Sequence, residues 1–103
     1  MNNTLTREEL KKLRLNQPNV IVLDVRSEEE YNNGHIPFAS NFPVELIENG
    51  EIFEAKPGSI IVTTCGRGGG RANRAANILR QNPQNQVFTL EGGSLGWLDN
   101  EKE

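Results

Sequence analysis

The stretch SIIVTTCGRGGGRANRAANILRQN, residues 59–82, contains the patterns that decide the fold. Its first six residues form a short aliphatic and β-branched run, which is typical of a strand buried on both faces of a parallel sheet. A glycine-rich turn follows, and residues 73–82 then carry apolar residues at helical spacing, namely Ala75, Ala76, Ile78 and Leu79. A strand, a loop and a helix in this order predict one half of a right-handed parallel β-α-β unit.

Two other strand-length runs extend the predicted sheet, NVIVLDV at residues 19–25 and QVFTL at residues 86–90. Both are largely apolar, as expected for strands that helices cover on both sides. A chain of 103 residues is long enough for one small core but not for two. We therefore expect a single α/β domain over residues 1–103, with a central parallel sheet between layers of helices.

Three segments outside this unit have the pattern of helices. Residues 5–15 contain a threonine followed three residues later by a glutamate, which is the arrangement of a capping box. Residues 27–34 begin with a serine and three acids and end at Asn-Gly, and residues 43–48 form a third candidate. We expect the last five residues, 99–103, to form a solvated tail.

Composition excludes several classes of function. The formal net charge is −3, which argues against nucleic acid as the main partner because phosphate binding needs a broad basic face. No apolar run reaches membrane-spanning length and the first residues do not resemble a signal peptide, so we expect a cytoplasmic protein without a membrane partner. With one cysteine and one histidine, an internal disulfide or a cysteine-rich metal site is excluded, and we expect no metal or other cofactor.

The lone cysteine, Cys65, falls where a parallel α/β sheet binds its ligands, at the carboxyl end of a strand. The glycines after it allow successive backbone N–H groups to turn inward, and the next helix adds the positive end of its dipole. An anion is favoured there, either the thiolate itself or an oxyanion held by Arg67 and Arg71. The alternative is an inert, buried cysteine before a flexible turn, and this stretch alone leaves both interpretations open.

Two flanking segments favour the reactive interpretation. VIVLDVRSEEEYNNGHIPFASNFP, residues 20–43, resembles the first signature of the rhodanese-like family, and LEGGSLGW, residues 90–97, resembles its second. Between them, Cys65 opens the segment that corresponds to the family's active-site loop. The three motifs have the family's order and spacing, and the resemblance extends over nearly the whole chain.

The resemblance implies a rhodanese-like domain with a sheet of about five parallel strands, and sulfurtransferase activity. Its cysteine takes sulfane sulfur from a small donor such as thiosulfate and passes it, as a persulfide, to a thiol, to cyanide or to an acceptor protein. By this match Cys65 is the catalytic nucleophile. Asp24 and Arg26 end a strand at the same edge, where they either line the pocket or pair with each other. The loop residues that would bind substrate are Gly66, Arg67, Gly68, Gly69, Gly70 and Arg71.

Three features depart from the family pattern. Five residues separate Cys65 from Arg71, one more than is common in single-domain rhodaneses, and this longer loop resembles those of the related dual-specificity phosphatases and arsenate reductases. Phe38 stands where glycine is usual, and the chain ends soon after Trp97. The alternatives to sulfur transfer are therefore a cysteine phosphatase or arsenate reductase, and a sulfur-carrier or binding module without turnover.

Other residues in the signatures are expected to be structural. His35 lies in a turn far along the chain from Cys65, so we expect it to support the fold rather than to act as a base. We expect Glu30 and Tyr31 to anchor their own helix, and Trp97 to pack the last helix onto the sheet.

Overall fold

The computed structural model describes residues 3–67 and 69–101. A five-stranded, wholly parallel sheet lies at its centre, with the strand order β1-β5-β4-β2-β3. This confirms the predicted parallel sheet of about five strands. The strands are β1 (Thr4–Leu5), β2 (Val20–Asp24), β3 (Ala39–Asn41), β4 (Ile60–Thr64) and β5 (Gln86–Leu90).

Helices cover both faces of the sheet. They are α1 (Arg7–Asn16), α2 (Glu28–Asn32), α3 (Val44–Glu48), α4 (Gly70–Leu79) and α5 (Gly93–Asn100). Helices α3 and α4 pack on one face, where the core includes Ile47, Ile61 and Ala75. Helices α1 and α5 pack on the other face through Leu10 and Trp97. The predicted three-layer arrangement is therefore confirmed.

The register of the two central strands brings the ends of β2 and β4 together. Asp24 pairs with Thr64, and the N–H of Val25 donates to the carbonyl of Thr64 at 2.9 Å. The residues that follow these strands, including Arg26 and Cys65, consequently lie at one edge of the sheet. This is the carboxyl edge, where parallel α/β domains bind their ligands.

Local signals predicted the first two helices well. Helix α1 has the expected capping box, in which the Thr6 hydroxyl accepts from Glu9 N–H and the Glu9 carboxylate accepts from Thr6 N–H. Helix α2 begins with a second capping box, formed by Ser27 and Glu30. Leu5, however, belongs to β1 rather than to the first helix, because its backbone pairs with that of Leu90.

The structure extends two helices beyond their sequence patterns. Helix α4 begins at Gly70, three residues before the segment 73–82 that has the helical spacing, and Gly69 precedes it with φ +84°. The predicted tail over residues 99–103 is exposed where it is described, as expected, but Asp99 and Asn100 belong to α5. Glu101 then accepts ion pairs from Arg7 and Lys11 on α1. Residues 102–103 lie outside the described part of the chain.

Within residues 3–67 and 69–101, none of the helices has the length and apolar character needed to cross a bilayer.

Candidate active site

Cys65 follows β4 directly and is largely enclosed. Cys65 is 3% exposed and packs in the same core cluster as Val25 and Ala72. Exposure rises along the loop that follows, because Gly66 is half-buried and Arg67 is exposed. The sulfur therefore lies at the bottom of the loop, where water is scarce and electrostatic interactions are strong.

The N-terminal end of α5 holds the start of this loop. The N–H of Ser94 donates to the carbonyl of Cys65 at 2.7 Å, and the N–H of Leu95 donates to the carbonyl of Gly66 at 3.1 Å. Gly93 permits this close approach, because a Cβ at that position would lie 2.2 Å from the Gly66 carbonyl oxygen. The second signature thus fixes the position of the first two loop peptides.

These two contacts also orient the loop's hydrogen-bond donors. The described peptide bonds are trans, so the N–H after each carbonyl points the opposite way. The N–H groups of Gly66 and Arg67 therefore face away from α5. Within the part of the chain that the structure describes, five N–H donors between residues 66 and 71 lack a backbone or side-chain acceptor, those of Gly66, Arg67, Gly69, Gly70 and Arg71. Gly68, also predicted to bind substrate, lies outside the described residues.

Unpaired backbone donors after a buried cysteine are an arrangement that favours negative charge. Three of these donors belong to the first turn of α4 or its N-cap, where the helix dipole adds positive potential. Such backbone concavities stabilise anions without needing a charged side chain. Anion binding by this loop stays a prediction, and the unpaired donors are consistent with it.

Asp24 and Arg26 form a buried ion pair beneath the loop. Arg26 Nη2 lies 2.7 Å from Asp24 Oδ2, and Arg26 Nε lies 2.9 Å from Asp24 Oδ1. The residues are 0% and 3% exposed, and hydrogen bonding to Asp24 raises the pKa of Arg26. The sequence left open whether Asp24 and Arg26 line the pocket or pair with each other. The structure contains the ion pair, and this pairing explains their position without a contact to substrate.

Ser94 and Asn41, one from each quoted signature, complete this network. The Ser94 hydroxyl donates to Asp24 Oδ2 at 3.1 Å and lies 3.1 Å from the Thr64 hydroxyl. The Asn41 side chain donates to the carbonyls of Asp24 and Arg26, at 3.0 and 3.1 Å. Asn41 belongs to the asparagine-x-proline pattern of the first signature, whereas the place of Ser94 in the second signature was the only signal of its role.

Arg71 is aligned by a carboxylate from α2. Its Nη1 and Nη2 lie 2.7 and 3.1 Å from the two oxygens of Glu30, and Nη2 is 3.9 Å from the place a Cβ on Gly66 would occupy. The bidentate pair raises the pKa of Arg71. It lowers the pKa of Glu30 to about 2, with a further contribution from the Ser27 N–H. Glu30 therefore joins the first signature to the loop as well as capping its own helix.

Arg67 is directed elsewhere. Its Nη2 pairs with Asp99 Oδ2 on α5 at 2.5 Å, and the Arg67 side chain is 59% exposed. Both loop arginines are thus paired with carboxylates, but only Arg71 is partly buried beside the start of the loop.

The Glu30–Arg71 pair predicts a specific pH dependence. Because folding lowers the pKa of Glu30 from 4.5 to about 2, its contribution to stability is complete above about pH 4.5 and is lost as the pH falls towards 2. We expect Glu30→Gln to lower the free energy of unfolding by an amount that is constant above about pH 5 and shrinks below that. Urea unfolding of both proteins across this range measures it. A difference that does not change with pH would contradict the assigned ion pair.

The remaining signature residues have structural contacts. His35 Nδ1 lies 2.9 Å from the carbonyl of Tyr31, and the two rings stack with centroids 3.8 Å apart. The Tyr31 hydroxyl donates to the carbonyl of Ala39, which anchors α2 as predicted. Trp97 is buried against the sheet, as predicted, and meets Phe38 edge-on at 5.3 Å. Phe38 therefore packs against α5, an interaction that glycine at this position would lack.

Comparison with known proteins gives concordant results. The family model for the rhodanese-like domain matches residues 6–100. A sulfurtransferase of Allochromatium vinosum is 30% identical over 97 residues, covering 94% of this chain and 89% of the relative. The protein YqhL of Bacillus subtilis (strain 168) is 33% identical over 96 residues, covering 91% of this chain and 71% of YqhL. The solved structure of the human single-domain sulfurtransferase TSTD1 matches with a TM-score of 0.82 and 26% identity, covering 99% of this chain and 100% of that one.

Proposed function

This chain belongs to the rhodanese-like domain family, and we propose that it is a sulfurtransferase in which Cys65 carries the transferred sulfur as a persulfide. The observation that carries the proposal is the series of unpaired backbone N–H groups that follows a buried cysteine at the carboxyl edge of the sheet. The sulfurtransferase of Allochromatium vinosum, similar over nearly its whole length, supports the same reaction class.

In the first half of the reaction, the Cys65 thiolate attacks the sulfane sulfur of a donor such as thiosulfate. The Cys65–sulfur bond forms while the donor's S–S bond breaks, and sulfite leaves with that bond's electron pair. In the second half, cyanide or a thiolate attacks the terminal sulfur and the Cys65 thiolate is released. Neither half requires a metal or an organic cofactor, and we propose that the acceptor is a small thiol or an acceptor protein.

The loop donors stabilise the negative charge that both halves place on sulfur. After the first half, the terminal persulfide sulfur is an anion that lies beyond Cys65, within the loop. Preorganised N–H groups in a site with little water stabilise such charge strongly, because they need no reorganisation. We propose that Gly66, Gly69 and Gly70 contribute through their N–H groups, and that Gly68 also binds substrate.

Phosphatase or arsenate reductase chemistry is the second candidate, because five residues separate Cys65 from Arg71. Ester hydrolysis also needs an acid that protonates the leaving alkoxide. Glu30 is held ionised by Arg71, with a pKa of about 2, and Asp24 is fully buried in its ion pair with Arg26. These carboxyl groups are therefore unsuited to that role, which favours sulfur transfer.

The experiment that separates the candidates compares two reactions on the same preparation. We expect thiocyanate to form from thiosulfate and cyanide, and a chromogenic phosphate ester to remain unhydrolysed. Phosphate or vanadate at millimolar concentration should inhibit only weakly. Ester hydrolysis without thiocyanate would favour the phosphatase, and failure of both reactions would favour a binding or carrier module.

Arg71 should matter more than Arg67 for the donor. Arg71 lies beside Gly66, whereas Arg67 pairs with Asp99 at the surface. Losing a charge-assisted hydrogen bond costs about 1.5–3 kcal/mol, so we expect Arg71→Ala to raise the KM for thiosulfate about 10- to 100-fold. Arg67→Ala is the matched control and should change it less than about threefold. Steady-state kinetics measure the KM of both variants. A larger increase in Arg67→Ala than in Arg71→Ala would contradict the role assigned to Arg71.

A cytoplasmic location remains our proposal for this activity. A free, reactive thiol is maintained most easily where glutathione and thioredoxin keep cysteines reduced.

A further inference from the structure

The segment after α3 belongs to no helix or strand. Along residues 52–56 the side chains alternate between exposed and half-buried, with Phe53 and Ala55 facing the core cluster that α3 and α4 share. Phe53 also meets Phe42 edge-on, with ring centroids 5.5 Å apart. A period of two is the burial pattern of a β-strand with one face covered. We call residues 52–56 the edge segment.

The backbone of the edge segment is unpaired. Neighbouring turns are hydrogen-bonded, since Glu51 N–H donates to the carbonyl of Leu46 and Gly58 N–H donates to that of Gln84. Between them, no N–H group from Ile52 to Lys56 reaches an acceptor in the described part of the chain, and the carbonyls of Ile52 to Ala55 receive no donor there. Unpaired, extended backbone at a protein surface is a template for another strand.

An apolar cleft lies beside this backbone. Its volume is about 570 Å³, and it separates the edge segment from the C-terminal end of α4 and the turn after it. Its floor is formed by aliphatic side chains from three elements, Ile47, Ile61, Ile78 and Leu79. Ile52 stands at the rim and is 79% exposed, which is unusual for an isoleucine. The cleft is wide enough for a large apolar side chain.

The charged residues near the cleft indicate which kind of peptide chain would bind there. Four glutamates occur within residues 45–54, and only Glu48 among them has a described ion pair, with Arg74. Glu51 lines the cleft and Glu54 lies on the exposed side of the edge segment, each without a described partner. Lys56 is the one basic residue between positions 45 and 56. A basic chain is therefore favoured and an acidic one is repelled.

We propose that the edge segment binds an extended, basic segment of a partner protein. The partner strand pairs with the free backbone of residues 52–56, places an apolar side chain in the cleft, and directs lysine or arginine side chains at Glu51 and Glu54. Main-chain hydrogen bonds supply the affinity and the cleft supplies the specificity, as in other cases of strand addition. This interaction does not depend on sulfur transfer, and the surface is separate from the Cys65 loop.

The test uses the full chain, labelled with ¹⁵N, and a synthetic peptide that alternates lysine with leucine or valine. We expect amide shifts concentrated in residues 50–58 and 78–85, with an affinity that weakens as salt rises. The same peptide with glutamate in place of lysine, and one N-methylated on its backbone, should not bind. Shifts spread over the surface, or equal binding of the N-methylated peptide, would overturn the proposal.

Variants of the chain test whether Glu51 and Glu54 attract the peptide. Glu51→Gln with Glu54→Gln should weaken peptide binding about three- to tenfold, because each exposed ion pair contributes little alone. Glu91→Gln removes an equally exposed carboxylate elsewhere and should leave the affinity unchanged. Neither change touches the core, so both variants should fold. An equal effect of the two variants would indicate general attraction to an acidic protein and contradict the proposal. Amide shifts that depend on protein concentration, without peptide, would instead assign the edge to a second copy of the chain.

Discussion

Replacing Gly93 by alanine is expected to abolish sulfur transfer and to lower the free energy of unfolding by about 3 kcal/mol or more. The new Cβ would lie 2.2 Å from the Gly66 carbonyl oxygen and 2.6 Å from that of Cys65, and no flexible side chain is available to yield. The φ of +66° adds strain for any residue with a Cβ. To relieve the contact, α5 and the loop must separate, which breaks the hydrogen bonds that orient the donors around Cys65.

Gly96→Ala is the matched control on the same helix. A Cβ there meets no atom within 4 Å and the residue has helical geometry, so alanine should be neutral or stabilise α5 by up to about 1 kcal/mol. Urea unfolding and thiocyanate formation should be measured for both variants. Full activity in Gly93→Ala would show that the contact between α5 and the loop is unimportant.

Cys65→Ser is expected to reduce sulfur transfer at least about 10³-fold while leaving the fold intact. A serine hydroxyl is similar in size to the thiol but is not ionised at neutral pH, so it cannot attack the sulfane sulfur. Because Cys65 is buried, the hydroxyl will also cost about 1–3 kcal/mol of stability unless it finds a hydrogen-bond partner. The rate of thiocyanate formation and an unfolding curve measure the two effects separately.

Substantial activity in Cys65→Ser would show that Cys65 is not the nucleophile. Thr89→Val is a useful control, because it deletes a buried hydroxyl that bonds Thr4 at the far side of β5. It should lower stability by a similar amount without affecting the rate.

The parts of the fold that could be predicted from the sequence are those with local causes. Strands β2, β4 and β5 are runs of mostly β-branched and aliphatic residues, and α1 and α2 each begin with a capping box. Strands β1 and β3 have only two and three residues, and their extended form depends on the partners Leu90 and Val22 rather than on their own composition. The local pattern around Leu5 therefore predicts a helix, although its backbone pairs with Leu90.

The candidate site shows the same division. Cysteine, glycines and arginines in sequence predict a loop that favours anions, and the described loop N–H groups are unpaired. Its supports come from distant positions: Glu30 binds Arg71 across 41 residues, and Asp99 binds Arg67 across 32. The contact between Gly93 and Gly66 depends on how α5 packs, so the motif showed that the glycine mattered but not what it approaches.

The intact mass of the protein after incubation with thiosulfate shows directly whether Cys65 carries the transferred sulfur. We predict a gain equal to one sulfur atom, which disappears after treatment with cyanide or a thiol reductant and is absent in Cys65→Ser. The Arg71→Ala variant should acquire the same mass more slowly. An unchanged mass in the parent protein, or a sulfur adduct that persists in Cys65→Ser, would contradict the account.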